Sequence, residues 1–187
     1  MPRKIHSPGT VTPRQHSQLV DELARELKTV RESGQPFIDE EHFETNAIRV
    51  VVLWDRWAEI PEDDRFDVIF NAYRTAEGET YANRIGLASG LTIPEAYASG
   101  MLPFQIVTGM RRGDSVTFDQ CRRAMIEQGA STLLDPAWPQ LRFATKEDAE
   151  ACCRRLVARL PGSELIWLVA DDTGRIITPL WPSEKTP

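Results

Sequence analysis

Asp39, Glu41, His42 and Glu44 form the densest cluster of oxygen and nitrogen donors in the chain. Carboxylates and an imidazole are ordinary ligands of divalent metals. No second histidine stands at helical ligand spacing from His42. The cluster is therefore expected to be a solvated polar loop, and no metal or other cofactor is expected. Three cysteines are the next candidates. Cys152 and Cys153 are adjacent, and on a helix they would point about 100° apart. Cys153 continues the spacing of Ala149, Leu156 and Leu160, which is the pattern of core packing. Cys121 reads the same way. A nucleophilic thiol needs a base and an orienting group, and no histidine follows His42.

Asp172-Thr173-Gly174 has the residues of the aspartic-protease triplet. That chemistry needs two carboxylates sharing a proton. Asp and Gly also supply the backbone geometry of a hairpin turn, which is the expected role here. Arg112-Gly113-Asp114 is read as a turn. Gly86, Gly90 and Gly100 lack the Gly-Lys-Ser/Thr sequel of a phosphate-binding loop.

The elements that carry these residues follow from spacing. The chain has 187 residues, 41% apolar and 27% charged, which is enough for one domain or two small modules. The net charge of -6 disfavours nucleic acid and anionic membranes as partners. Residues 1–17 hold Arg3, Lys4 and Arg14 with no acid, and are expected to be a disordered basic tail. They show neither the apolar core of a secretory signal nor an amphipathic leader. No apolar run is long enough to cross a bilayer. An odd cysteine count fits a reducing compartment. The expected location is cytoplasmic.

Leu19, Leu23 and Leu27 recur on one face of a helix predicted over 18–32, capped by Ser17 and ended by Ser33-Gly34. Phe37 and Ile38 begin a short edge strand, and residues 39–42 turn. Ile48–Trp54 is β-branched and apolar throughout, the pattern of a strand covered on both faces. Pro61 and three acids open a helix whose inner face is Phe66, Ile69, Phe70 and Tyr73. A strand near 85–88 and a short helix ending at Gly100 complete an α-β-β-α-β-α module, residues 18–100.

Residues 101–182 read as a second module. Phe104–Met110 is a strand. Thr117 and Gln120 make a capping box for a helix facing inward with Phe118, Cys121, Ala124 and Met125. Ser131–Leu134 and Leu141–Ala144 form a hairpin. Thr145 caps a helix that Pro161-Gly162 ends. Leu165–Ala170 and Ile176–Leu180 are strands. The order is β-α-β-β-α-β with one added strand, a split βαβ, ferredoxin-like unit. Residues 183–187 are a C-terminal tail. The fold class is α/β in the broad sense, more narrowly α+β.

Three segments of the first module resemble the BolA-like family, which shares its topology with class II KH domains. They are Ile38-Asp39-Glu40-Glu41-His42, Val50–Trp57 and Arg65-Phe66-Asp67-Val68-Ile69-Phe70. Thr92-Ile93-Pro94-Glu95 falls near that family's last Thr-x-x-Glu turn. The resemblance implies the fold. It also implies a partner role with a glutaredoxin in iron–sulfur or redox handling, although Phe66 stands where the family carries histidine. A KH-type RNA site is not expected, because Gly-x-x-Gly is absent.

Leu165–Val169 is apolar on both faces, so its second face needs a cover. The first module is the expected cover, since packing within one chain costs no translational freedom. Trp54, Trp57, Ile166, Trp167 and Leu168 are accordingly the candidate interface. The preferred reading is a non-catalytic protein-interaction or regulatory module, with a protein partner or a homo-oligomer. A further alternative is a small enzyme with acids such as Asp39, Glu41, Asp55 and Asp67 lining a cleft between the modules.

Overall fold

The β-branched run at 48–53 becomes the centre of a small sheet, because a stiff, branched side chain fits a pleated surface covered on both sides. In the computed structural model, which describes residues 13–110, 115–164 and 166–177, this strand is β2 (Ile48–Leu53). It lies between β1 (Phe37–His42) and β3 (Ile85–Leu91). β1 runs antiparallel to β2 and β3 parallel to it. Ile48, Val50 and Val52 are buried to within 1%. They face α1 (Pro13–Leu27) and α2 (Glu62–Glu77). A short α3 (Glu79–Ala82) precedes β3.

Several boundaries differ from the sequence reading. α1 starts at Pro13 and stops at Leu27 rather than spanning 18–32. Past its end, the Thr29 hydroxyl donates to the Arg25 carbonyl at 2.9 Å, a local bond that competes with helix continuation. Residues 39–42 do not turn. They stay paired with β2 as far as His42 opposite Ile48. The turn comes at Phe43–Ala47, where Asn46 takes φ 64°. α2 buries Arg65, Val68, Ile69, Ala72 and Tyr73. Phe66 is 39% exposed and stacks on Phe70 at the rim.

The chain divides into two compact units between Thr92 and Ile93. The second holds α4 (Ile93–Ala98), β4 (Phe104–Thr108), α5 (Phe118–Glu127), β5 (Leu141–Phe143), α6 (Lys146–Arg159) and β6 (Trp167–Ala170). Its sheet order is β5-β4-β6, with both pairs antiparallel. A single antiparallel bridge joins Ser131 to Gln140, and another joins Ala170 to Ile176. That is the split βαβ order with its second strand reduced to one bridge and an added hairpin arm after the last strand. The fold is α+β with small sheets.

The reduced strand has a local cause. The Ser131 hydroxyl accepts the Leu133 amide at 3.2 Å, and the Asp135 carboxylate accepts those of Ala137 and Trp138 at 2.9 and 3.2 Å. The Ser131 bond diverts the Leu133 amide from a ladder, and the Asp135 bonds close the turn that follows. The caps at Thr117 and Thr145 form as expected, the first as a full capping box. Phe118, expected inward, is instead half exposed. Of the basic tail expected over residues 1–17, residues 13–17 belong instead to α1. Its residues 1–12, the Arg112-Gly113-Asp114 turn, the end of the Ile176–Leu180 strand and the tail at 183–187 lie outside the described residues.

Candidate functional site

Strand alternation decides which members of the acidic cluster meet. Successive β1 side chains point to opposite faces. Ile38, Glu40 and His42 therefore share the core face with Val52, Val50 and Ile48, their register partners. Asp39 and Glu41 take the other face, both exposed, and Arg49 donates to Glu41 at 3.1 Å. Glu44 is exposed in the turn. The four donors read from the sequence are thus not brought together. Among the described residues no cluster of three His, Cys, Asp or Glu could hold a metal.

The residue that does gather partners is Glu40. Tyr73, from α2, donates its hydroxyl to one carboxylate oxygen of Glu40. Tyr81, from α3, donates to the other at 2.9 Å, and His42 Nε2 lies 3.2 Å from that same oxygen. The two tyrosine rings stack at 6.0 Å, and the Arg84 guanidinium sits 5.1 Å over Tyr81. Burial pushes the Glu40 carboxyl up. The bonds from Tyr73, Tyr81 and His42 outweigh it and leave the group below its ordinary range. Burial, then the bond to Glu40, raises both tyrosine hydroxyls.

Glu40 also lines a cleft of about 460 Å³ between the end of α1 and β1, with Leu27, Val30, Phe37 and Ile38 as its apolar wall. Sequence reasoning misses Glu40 because residues 39–42 read as a turn. The available signal was the alternation Ile38-Glu40-His42 opposite Tyr73, already placed on an inner helix face.

Chemically, the site holds an ionised carboxylate whose oxygens already accept from three donors. Such a group is a poor base and a good structural anchor.

The other candidates sit in the two cores. Trp57 is fully buried and donates Nε1 to the Val52 carbonyl at 2.9 Å, and Trp54 meets it edge-on at 5.5 Å. Arg65 is buried beside them, donating to the carbonyls of Ile60, Gly90 and Trp57 at 2.9–3.0 Å. A β-carbon on Gly90 would fall 2.9 Å from the Trp57 ring. Ile166 and Trp167 belong to the core of the second unit, and Trp167 Nε1 donates to the Ser163 hydroxyl. Leu168, on the opposite face of β6, is half-buried.

Cys121, Cys152 and Cys153 are all buried in the second unit. Burial pushes the Cys152 thiol up to about 11 and the Cys153 thiol up to about 12. Asp171, rather than Asp172, organises the Asp-Thr-Gly segment. Its carboxylate accepts from the Thr173 hydroxyl and from the amides of Thr173 and Arg175. Gly174 takes φ 81° to close that turn. Asp55 takes part in a two-way contact with Gln35, its amide donating to the Gln35 side chain at 2.7 Å. Asp67 is exposed on α2.

No family model, curated protein or solved structure matches the chain. No described helix is long and apolar enough to cross a membrane.

Proposed function

We propose that this chain is a non-catalytic protein-interaction or regulatory module whose partner is another polypeptide. The observation that carries the reading is an apolar surface on the second unit. Phe118 is 50% exposed at the start of α5 and packs against Trp138, with ring centroids 4.6 Å apart. Leu133 and Leu134, in the same loop as Trp138, are 44% and 52% exposed. Arg122 donates to the Pro136 carbonyl at 3.4 Å, which ties that loop to α5. Apolar groups displayed on an ordered loop and helix are what a protein partner desolvates. The ionisable groups support the same reading. The Cys152 and Cys153 thiols and the Tyr73 hydroxyl are shifted away from neutrality, whereas a catalytic acid or base is tuned toward it.

The test is a comparison of the full chain with a Phe118→Ser, Leu134→Ser variant by sedimentation and by affinity capture from the native host. The wild type should self-associate or retain a defined protein that the variant releases. A wild type that stays monomeric and retains nothing the variant lacks would count against the proposal.

A further inference from the structure

Arg142 lies on β5, on the sheet face opposite the buried Leu141. Its guanidinium carbon stands 3.5 Å from the centroid of the Tyr97 ring. Nε and one hydrogen of Nη2 both go to the side-chain oxygen of Gln140, at 3.2 and 3.1 Å. Nη1 is buried and has no acceptor among the described residues. No carboxylate among them forms an ion pair with Arg142. Its register partner on β4, Gln105, is neutral, and its amide reaches the Asp171 carbonyl.

This is an uncommon state for a guanidinium. The group is always charged and carries five donors in one plane. Here an aromatic face and a single amide oxygen hold that plane still, yet neither supplies a negative charge. A desolvated donor without an acceptor is costly to the fold. The chain carries 28 acids against 22 lysines and arginines, so a carboxylate counter-ion would have been easy to provide.

We propose that Arg142 is the receptor for an oxyanion, a carboxylate or a phosphate, received in the plane of the guanidinium at Nη1. Tyr97 closes one face of that plane and Gln140 orients it. The anion supplies the acceptor that Nη1 lacks and the charge that Gln140 does not carry. A planar fork fixed in this way favours a planar or tetrahedral oxyanion over a spherical halide. Because Nη1 is covered, binding requires the covering groups to part. The inference is independent of the interaction surface around Phe118, which lies on other residues.

The experiment is a titration of the full ¹⁵N-labelled chain, read at the arginine side-chain resonances. Sodium phosphate and sodium acetate form separate arms, and sodium chloride at equal ionic strength is the reference. A saturable shift at Arg142 and at the Tyr97 ring is expected in at least one oxyanion arm and not in chloride. The arm that saturates at lower concentration identifies the source. Arg142→Gln should abolish the shift, and Tyr97→Leu should raise the half-saturation concentration severalfold. If Arg142→Gln fails to fold, Arg142→Lys replaces it, with the shift at the Tyr97 ring lost or weakened at least tenfold. Absence of saturation in both oxyanion arms, an equal response to chloride, or a response that survives loss of the guanidinium would overturn the proposal.

Discussion

At the scale of single residues, Arg65 does structural work that its charge disguises. Its guanidinium draws together the carbonyls of Trp57, Ile60 and Gly90, which belong to the turn after β2 and to β3. Replacing it with methionine keeps the stem and strands those carbonyls. The expected loss is about 3 kcal/mol in urea unfolding, within the range for hydrogen bonds to charged groups. Tyr73 makes a different prediction. Tyr73→Phe removes one donor to Glu40 and should cost about 1 kcal/mol at pH 7. The Tyr73 hydroxyl is raised in the folded state, so its contribution is full below about pH 10 and lost as pH climbs through its folded value. The variant should therefore lose less stability than the wild type between pH 9 and 11. Parallel losses would show that Tyr73 is not the group responsible.

Among elements, the local signals were legible where side chain and backbone cooperate. Thr117 with Gln120, and Thr145, are readable as caps, and both form, Thr145 accepting the Asp148 amide. Thr117→Ala should lower stability by about 1 kcal/mol, and amide exchange should quicken first in the opening turn of α5. Uniform exchange along α5 would argue against a capping role. β1 was only partly legible, because three acids and a histidine do not look like a strand. Pairing with β2 supplies the backbone bonds whatever the side chains are, and an acidic edge is a common guard against further pairing. The candidate site was lost with that boundary, since the face on which Glu40 falls depends on register. The second strand of the split βαβ was over-read for the opposite reason. Ser131–Leu134 has strand-like residues, but the Ser131 hydroxyl itself holds the Leu133 amide.

For the molecule as a whole, a pH profile is expected from its buried and half-buried groups. Glu40 lies below its ordinary range, so its contribution is present above that range and lost as pH falls through the folded value. Tyr73, Tyr81, Cys152 and Cys153 are all raised, and their contributions fade as pH rises through the folded values. Urea midpoints should be level from about pH 6 to pH 8.5 and fall on the alkaline side, where ordinary thiols and phenols titrate at about 8.5 and 10. A midpoint that rises above pH 9 would contradict this assignment. Because all three cysteines sit in the second unit, disulfide reagents report on that unit alone. Labelling at pH 7.5 should be at least about a hundredfold slower in the native protein than in urea, as expected of buried, protonated thiols. Immediate native labelling would place a thiol at the surface.

The closeness of Gly90 to the indole of Trp57 also bears on which changes the chain can tolerate. A library of all substitutions at position 90, selected for soluble expression, should return glycine almost alone, because any β-carbon meets a ring that is itself enclosed. Three residues earlier on the same strand, Leu87 stands more than half in solvent, and the same selection there should accept most polar replacements.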